Sequence, residues 1–143
     1  MAQVFVSSVV DAPVGRVWER IRSFDAVAEW LPFVASSPIE DGREPTTVGC
    51  VRVVTQTDGL VFRETLVGHS DAERSYAYTF VGSPIPVRDH RTTIRLLAIT
   101  DGDRTYAEWS SRFDIAPDAE DELVGLMRKN FLDGLHALAR SFD

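Results

Sequence analysis

A single cysteine, Cys50, stands among the 143 residues, so no disulfide can close within the chain, and such usage suits a reducing compartment. Only three histidines occur, His69, His90 and His136, and they share no metal-ligand spacing. With one thiol and no His cluster, no metal site is expected. No apolar run approaches the roughly 20 residues that cross a bilayer, so membrane insertion is not expected. The opening Met1-Ala2-Gln3-Val4-Phe5-Val6 lacks the basic start and small-residue cleavage site of a signal peptide, which makes the cytoplasm the expected location. Basic residues are scarce too: 15 Lys and Arg face 22 acids, for a net charge of −7. A nucleic-acid surface needs clustered cations, so no such partner is expected. Neither Gly-x-Ser-x-Gly nor a glycine-rich phosphate loop occurs, and no cofactor is expected. Repeats and low-complexity tracts are absent, and the length suits one domain, residues 1–143, with its own core.

What is present is a change of period along the chain. Val4 to Val10 is β-branched and reads as a strand. Asp11-Ala12-Pro13 follows as a helix start, and Val14, Val17, Trp18 and Ile21 recur at helical spacing. A second short helix restarts at Phe24-Asp25 and should stop near Trp30-Leu31, before Pro32. From Val34 to Ile115 turn signals separate strands near 34–39, 48–56, 61–69, 74–81, 88–100 and 104–115, joined as an antiparallel meander. Pro117 to Glu122 then opens a helix with acids in its first turn. Leu123, Leu126, Met127, Phe131, Leu135, Leu138 and Phe142 form its apolar stripe. At about 24 residues it would span roughly 36 Å, enough to cross a whole sheet. The expected class is α+β: a curved antiparallel sheet wrapped around a long C-terminal helix, with two short helices after the first strand.

Strand residues alternate faces, so parity sorts them. One set reads Phe62, Glu64, Leu66; Tyr76, Tyr78, Phe80; His90, Thr92, Ile94, Leu96; Tyr106, Glu108, Ser110. The other carries Arg63, Arg91, Arg95 and several threonines, as a solvated face does. The aromatic set is therefore assigned to the concave face under the helix. Trp109 and Phe113 then fall outside, unless a bulge in the last strand reverses them. Two carboxylates, Glu64 and Glu108, on an apolar face imply a water-containing cavity, because a buried ionised carboxylate needs a partner or hydration. An apolar cavity with a few convergent polar groups is what a small-molecule site looks like.

This order of elements resembles the helix-grip fold of the START/Bet v 1 superfamily. Val17-Trp18, Phe24-Asp25 and Trp30-Leu31-Pro32 resemble the opening of its bacterial polyketide cyclase/dehydrase-like branch, and Val48-Gly49-Cys50, Glu64-Thr65-Leu66, Tyr76-Ala77-Tyr78 and Glu108-Trp109 continue the match. The segment from Val48 to Tyr78 is also similar to the abscisic acid receptors of plants. That similarity implies pocket positions for Val54, Glu64, Tyr78, His90, Thr92, Glu108 and Asn130, although the turn at Asp58-Gly59-Leu60 is shorter than the receptors' gate. The superfamily implies a cavity for lipids, polyketides, terpenoids or steroids and implies no particular reaction.

Three functions follow as expectations. The first is binding of a small hydrophobic molecule, its body against Tyr78, Phe80, Ile94, Met127 and Phe131 and its polar end at Glu64, His90, Thr92 or Glu108. Phe62, Tyr76 and Tyr106 join this lining, and Trp30 and Phe33 flank Pro32 at the expected mouth. The second is a cofactor-independent cyclase or dehydratase, with His90 and the carboxylates Glu64 and Glu108 moving protons. The bland alternative is that Arg52, on the inner parity of its strand, neutralises one carboxylate. The third is a protein-interaction module, a homodimer formed through an outward Trp109 and Phe113.

Overall fold

The computed structural model describes residues 1–143. Alternation builds β1 (Ala2–Val10), which buries Ala2, Val4, Val6 and Val10 and turns Gln3, Phe5, Ser7 and Val9 outward. Pro13 caps α1 (Val14–Ile21) with extended backbone, one residue before the helix and not in its first turn. Val17, Trp18 and Ile21 form the buried face of α1. A 3-10 turn at Phe24–Ala26 leads into α2 (Val27–Trp30), which ends where Leu31 goes extended ahead of Pro32. Trp18 Nε1 donates to Asp71 Oδ1 at 2.8 Å, and Arg22 grips the same carboxylate through Nε and Nη2, so α1 is tied to the turn between two later strands.

Those strands are β2 (Val34–Ser36), β3 (Val51–Gln56), β4 (Val61–Ser70), β5 (Ser75–Gly82), β6 (Arg88–Ile99) and β7 (Arg104–Asp114). They form one antiparallel sheet in the order β1-β7-β6-β5-β4-β3-β2, a meander closed on one side by the first strand. The sheet curls around α3 (Pro117–Arg140), as the α+β helix-grip pattern requires. β3 starts three residues later than the apolar pattern suggested, since Val48 is exposed and Gly49 has φ +98°.

The inner face follows the expected parity through β3, β4, β5 and β6 and departs from it in β7. Ile94 pairs with Trp109 and Thr92 with Ser111, so even residues of β6 face odd residues of β7. Thr105, Ala107, Trp109, Ser111 and Phe113 are therefore buried, and Tyr106, Glu108 and Ser110 turn outward. No bulge within β7 is involved. The hairpin closes on Ile99 and Arg104, and a four-residue turn gives its two closing residues opposite parity. A bulge does occur at Val67 in β4, where the register shifts between Leu66 and Gly68. It swings His69 inward against Trp18, at 5.6 Å between rings.

α3 is seated unevenly. Its second half buries Gly134, Leu135 and Leu138 against the core. Its first half leans on β1 and β7, where Leu123, Val124 and Met127 pack around Ala2, Val4 and Phe113. Toward β3, β4 and β5 that first half does not close on the sheet, and Leu126 is 54% exposed. No helix is long and apolar enough to cross a membrane.

Candidate ligand cavity

The gap under the first half of α3 is a cavity of about 160 Å³. One water needs roughly 15 Å³ in the same measure, so there is room for an organic molecule. Fifteen of its 21 lining residues are hydrophobic. The others are Arg52, Gln56, Glu64, His90, Thr92 and Asn130, and these decide its chemistry.

Arg52 and Glu64 are cross-strand partners on β3 and β4, both pointing inward. Arg52 Nε donates to Glu64 Oε1 at 2.7 Å, and Nη1 donates to the Phe24 carbonyl at 2.9 Å. The guanidinium lies 3.9 Å over the Phe24 ring and 4.6 Å over that of Tyr78. Burial alone would lower the Arg52 pKa, but Glu64 foremost, with Tyr76 and Tyr78, raises it and holds the guanidinium charged. Burial raises the Glu64 pKa, with the charge and hydrogen bond of Arg52 opposing. Burial likewise raises the Tyr78 phenol, which stays neutral.

His90 is committed at both nitrogens. Its Nδ1 accepts the Phe80 N–H at 3.2 Å, which places the ring proton on Nε2. Nε2–H then donates to Thr92 Oγ1 at 2.7 Å, and Thr92 donates to Ser111 Oγ at 2.9 Å. The imidazole also stacks on Phe80 at 3.7 Å. Burial pushes the His90 pKa down to about 4 from 6.5, and protonating Nδ1 would also break the Phe80 hydrogen bond. The unfolded chain therefore takes up a proton near 6.5 that the folded chain refuses until about 4. Stability from this residue is complete above that window and is lost as pH falls through it. The loss amounts to about 3 kcal/mol. Denaturant unfolding at pH 7 and pH 4.5 should show it, and His90→Gln should remove that part of the pH dependence. Glu64 acts in the opposite sense, because a raised folded pKa makes its contribution decline as pH rises.

The cavity brings together Phe33, Val54, Phe62, Glu64, Tyr78, Phe80, His90, Thr92, Met127, Asn130 and Phe131 of the residues expected from sequence. Five others lie elsewhere. Tyr76 and Ile94 are buried in the core beside the cavity. Trp30 is buried behind Trp109, 5.6 Å between rings, and does not stand at the mouth. Glu108 and Tyr106 are on the outer face, where Glu108 accepts from Arg95 Nε at 2.7 Å and from the Tyr106 hydroxyl at 2.8 Å. Glu108 thus forms no acid/base pair with Glu64, because the β6–β7 register puts them on opposite sides of the sheet. The same register brings Trp109 to the cavity wall, stacked on Phe131 at 4.4 Å, and buries Phe113, so neither forms an outward dimer patch. The strand bounds read from sequence leave three turn residues, whereas the hairpin has four, and that one residue reverses the face of Trp109. Leu60 and Ile85 also line the cavity from turns, where no periodicity marks them.

Comparison with known proteins places this geometry. The family model described as "Polyketide cyclase / dehydrase and lipid transport" matches residues 1–143. No curated protein matches. Among solved structures, the protein XoxI of Bacillus cereus is similar at 30% identity and a TM-score of 0.89, over 99% of this chain and 96% of that one. An uncharacterised protein of Bacillus thuringiensis is 30% identical with a TM-score of 0.88, over 99% and 98%. A protein of Nitrosospira multiformis is 32% identical with a TM-score of 0.86, over 99% and 96%.

Proposed function

The chain belongs to the polyketide cyclase/dehydrase and lipid transport family, within the START/Bet v 1-like superfamily, and from that footing we propose that it binds one small hydrophobic molecule between the sheet and α3. The observation that carries this reading is the cavity itself: an interior space of about 160 Å³ with a mostly apolar wall. Protein interiors are normally close-packed, so a space of that kind stands out, and the hydrophobic effect rewards an apolar occupant. The cyclase or dehydratase reading is less well supported. A general base needs a free lone pair facing the substrate. His90 offers none, since Nδ1 already accepts a backbone N–H, and Glu64, with one oxygen bound by Arg52 and the other free, has no carboxylate partner because Glu108 lies on the far side of the sheet.

Native mass spectrometry with organic extraction, on protein purified from its native host, tests the proposal. A defined apolar compound at near-stoichiometric amount is expected. An empty protein that also fails to bind a broad panel of lipids and polyketides would sink it.

A further inference from the structure

The polar groups on the cavity wall are not equivalent in what they leave free. His90 and Thr92 are used up in a chain that ends on Ser111. The one cation, Arg52, is engaged by Glu64 and by the Phe24 carbonyl and is sandwiched against aromatic rings. Glu64 meets Arg52 through Oε1. Its second carboxylate oxygen takes no hydrogen bond from the chain, and Glu64 lines the cavity. The amides of Gln56 and Asn130 are also uncommitted but neutral, so the Glu64 oxygen is the one free acceptor on the wall that carries negative charge, beside an ion pair that is already neutral as a unit.

Resting on the reading of this cavity as a ligand site, we propose that it selects an uncharged apolar molecule bearing a hydrogen-bond donor, an alcohol or phenol, over the carboxylic acid of the same skeleton. A ligand hydroxyl donates to the free oxygen of Glu64 and leaves the ion pair undisturbed. Hydrogen bonds to a charged acceptor are among the stronger ones. A ligand carboxylate would put a second anion against Glu64 in a space of low dielectric, and two carboxylates sharing one site cannot both stay ionised. It could not be balanced by Arg52 without taking that guanidinium from Glu64. A ligand ammonium would meet the mirror problem at Arg52. A skeleton with no polar group would leave the Glu64 oxygen unfilled.

Three probes of one skeleton decide this at pH 7.5: 2-naphthol, naphthalene and 2-naphthoate, with dissociation constants measured by titration calorimetry or by quenching of tryptophan fluorescence. The naphthol should bind tightest, with naphthoate weaker by at least roughly tenfold and naphthalene between them. Glu64→Gln should narrow the gap between naphthol and naphthoate to under about threefold. Because that variant leaves Arg52 without its anion, Arg52→Met combined with Glu64→Leu serves beside it, and there the naphthol should lose its advantage over naphthalene. Naphthoate binding as well as or better than naphthol would overturn the selectivity while leaving the cavity a ligand site. An unchanged preference in the double variant would overturn the role of Glu64. Failure of all three probes to bind would sink the cavity reading itself, and this inference with it.

Discussion

An Arg52→Met variant is expected to unfold roughly 10–15 °C below the parent protein, a loss of about 3–5 kcal/mol. Methionine fills much of the volume, so the effect comes from charge. Glu64 is 7% exposed, and the 2.7 Å hydrogen bond from Arg52 is the partner that balances it. Removing one member of a buried pair leaves the other uncompensated, which costs far more than the pair was worth. The Phe24 carbonyl also loses the Arg52 Nη1 donor. The deficit relative to the parent should be larger at pH 8 than at pH 5. Without Arg52, only burial acts on Glu64, its folded pKa rises further, and a raised carboxyl pKa means stability that is lost as pH rises. Adding Glu64→Leu should recover most of the loss, because a well-packed apolar pair can replace a buried ion pair at little cost. Thermal melts of the three proteins at both pH values make the measurement. A drop under about 1 kcal/mol for Arg52→Met, typical of a solvated pair, would overturn the reading of Arg52 and Glu64 as a buried, mutually dependent pair.

Gly134→Val should be the other severe substitution. A Cβ built at Gly134 would lie 2.6 Å from Leu31 Cδ1 and 2.9 Å from Trp109 Cζ3. The Leu31 methyl can rotate away. Trp109 cannot, since its ring is stacked on Phe131 at 4.4 Å and tilted against Trp30. Gly134 is thus where α3 packs directly on Leu31 and the Trp109 ring, and the helix has to lift for any side chain to enter. Overpacking of this kind costs about 1–3 kcal/mol, and a β-branched residue recovers only part of the roughly 1 kcal/mol by which glycine weakens a helix. A midpoint shift in urea reads the stability loss. The cavity should change with it, because Leu31, Trp109 and Phe131 all line its wall, so affinity for 2-naphthol should shift in the same variant. Gly125, where a Cβ meets nothing within 4 Å, is the control: Gly125→Ala should be neutral or slightly stabilising. If Gly134→Val were as stable as Gly125→Ala, the close approach of α3 to Trp109 would be wrong.

How far the site could be read from sequence varies along the chain for a physical reason. Tyr78, Phe80, His90 and Thr92 sit where parity put them, because the β5–β6 register pairs even residues with even and the irregularity in β6, between Arg88 and Arg91, falls at its start. Glu64 and Arg52 were assigned to one face by the same rule, and β3–β4 pairing makes them direct neighbours. Glu108 and Tyr106 were misplaced because β7 alternates just as cleanly and its apolar set is split between both parities. The inward turn of His69 follows from a bulge at Val67 that has no signature in residue type. Leu60 and Ile85 reach the cavity from turns, where position depends on the ends of other strands.

The elements, their order, the long amphipathic helix and the polar groups on an otherwise apolar face were legible in the residues alone. These follow from local periodicity, capping and turn chemistry, each set within a few residues. Which face of β7 turns inward, the direct Arg52–Glu64 hydrogen bond, and the seating of α3 on Trp109 at Gly134 but not near Leu126 came from the folded arrangement. Those outcomes depend on register and on the meeting of residues far apart in the chain. A side chain's face is a local property, but its partner is set by the strand that pairs beside it.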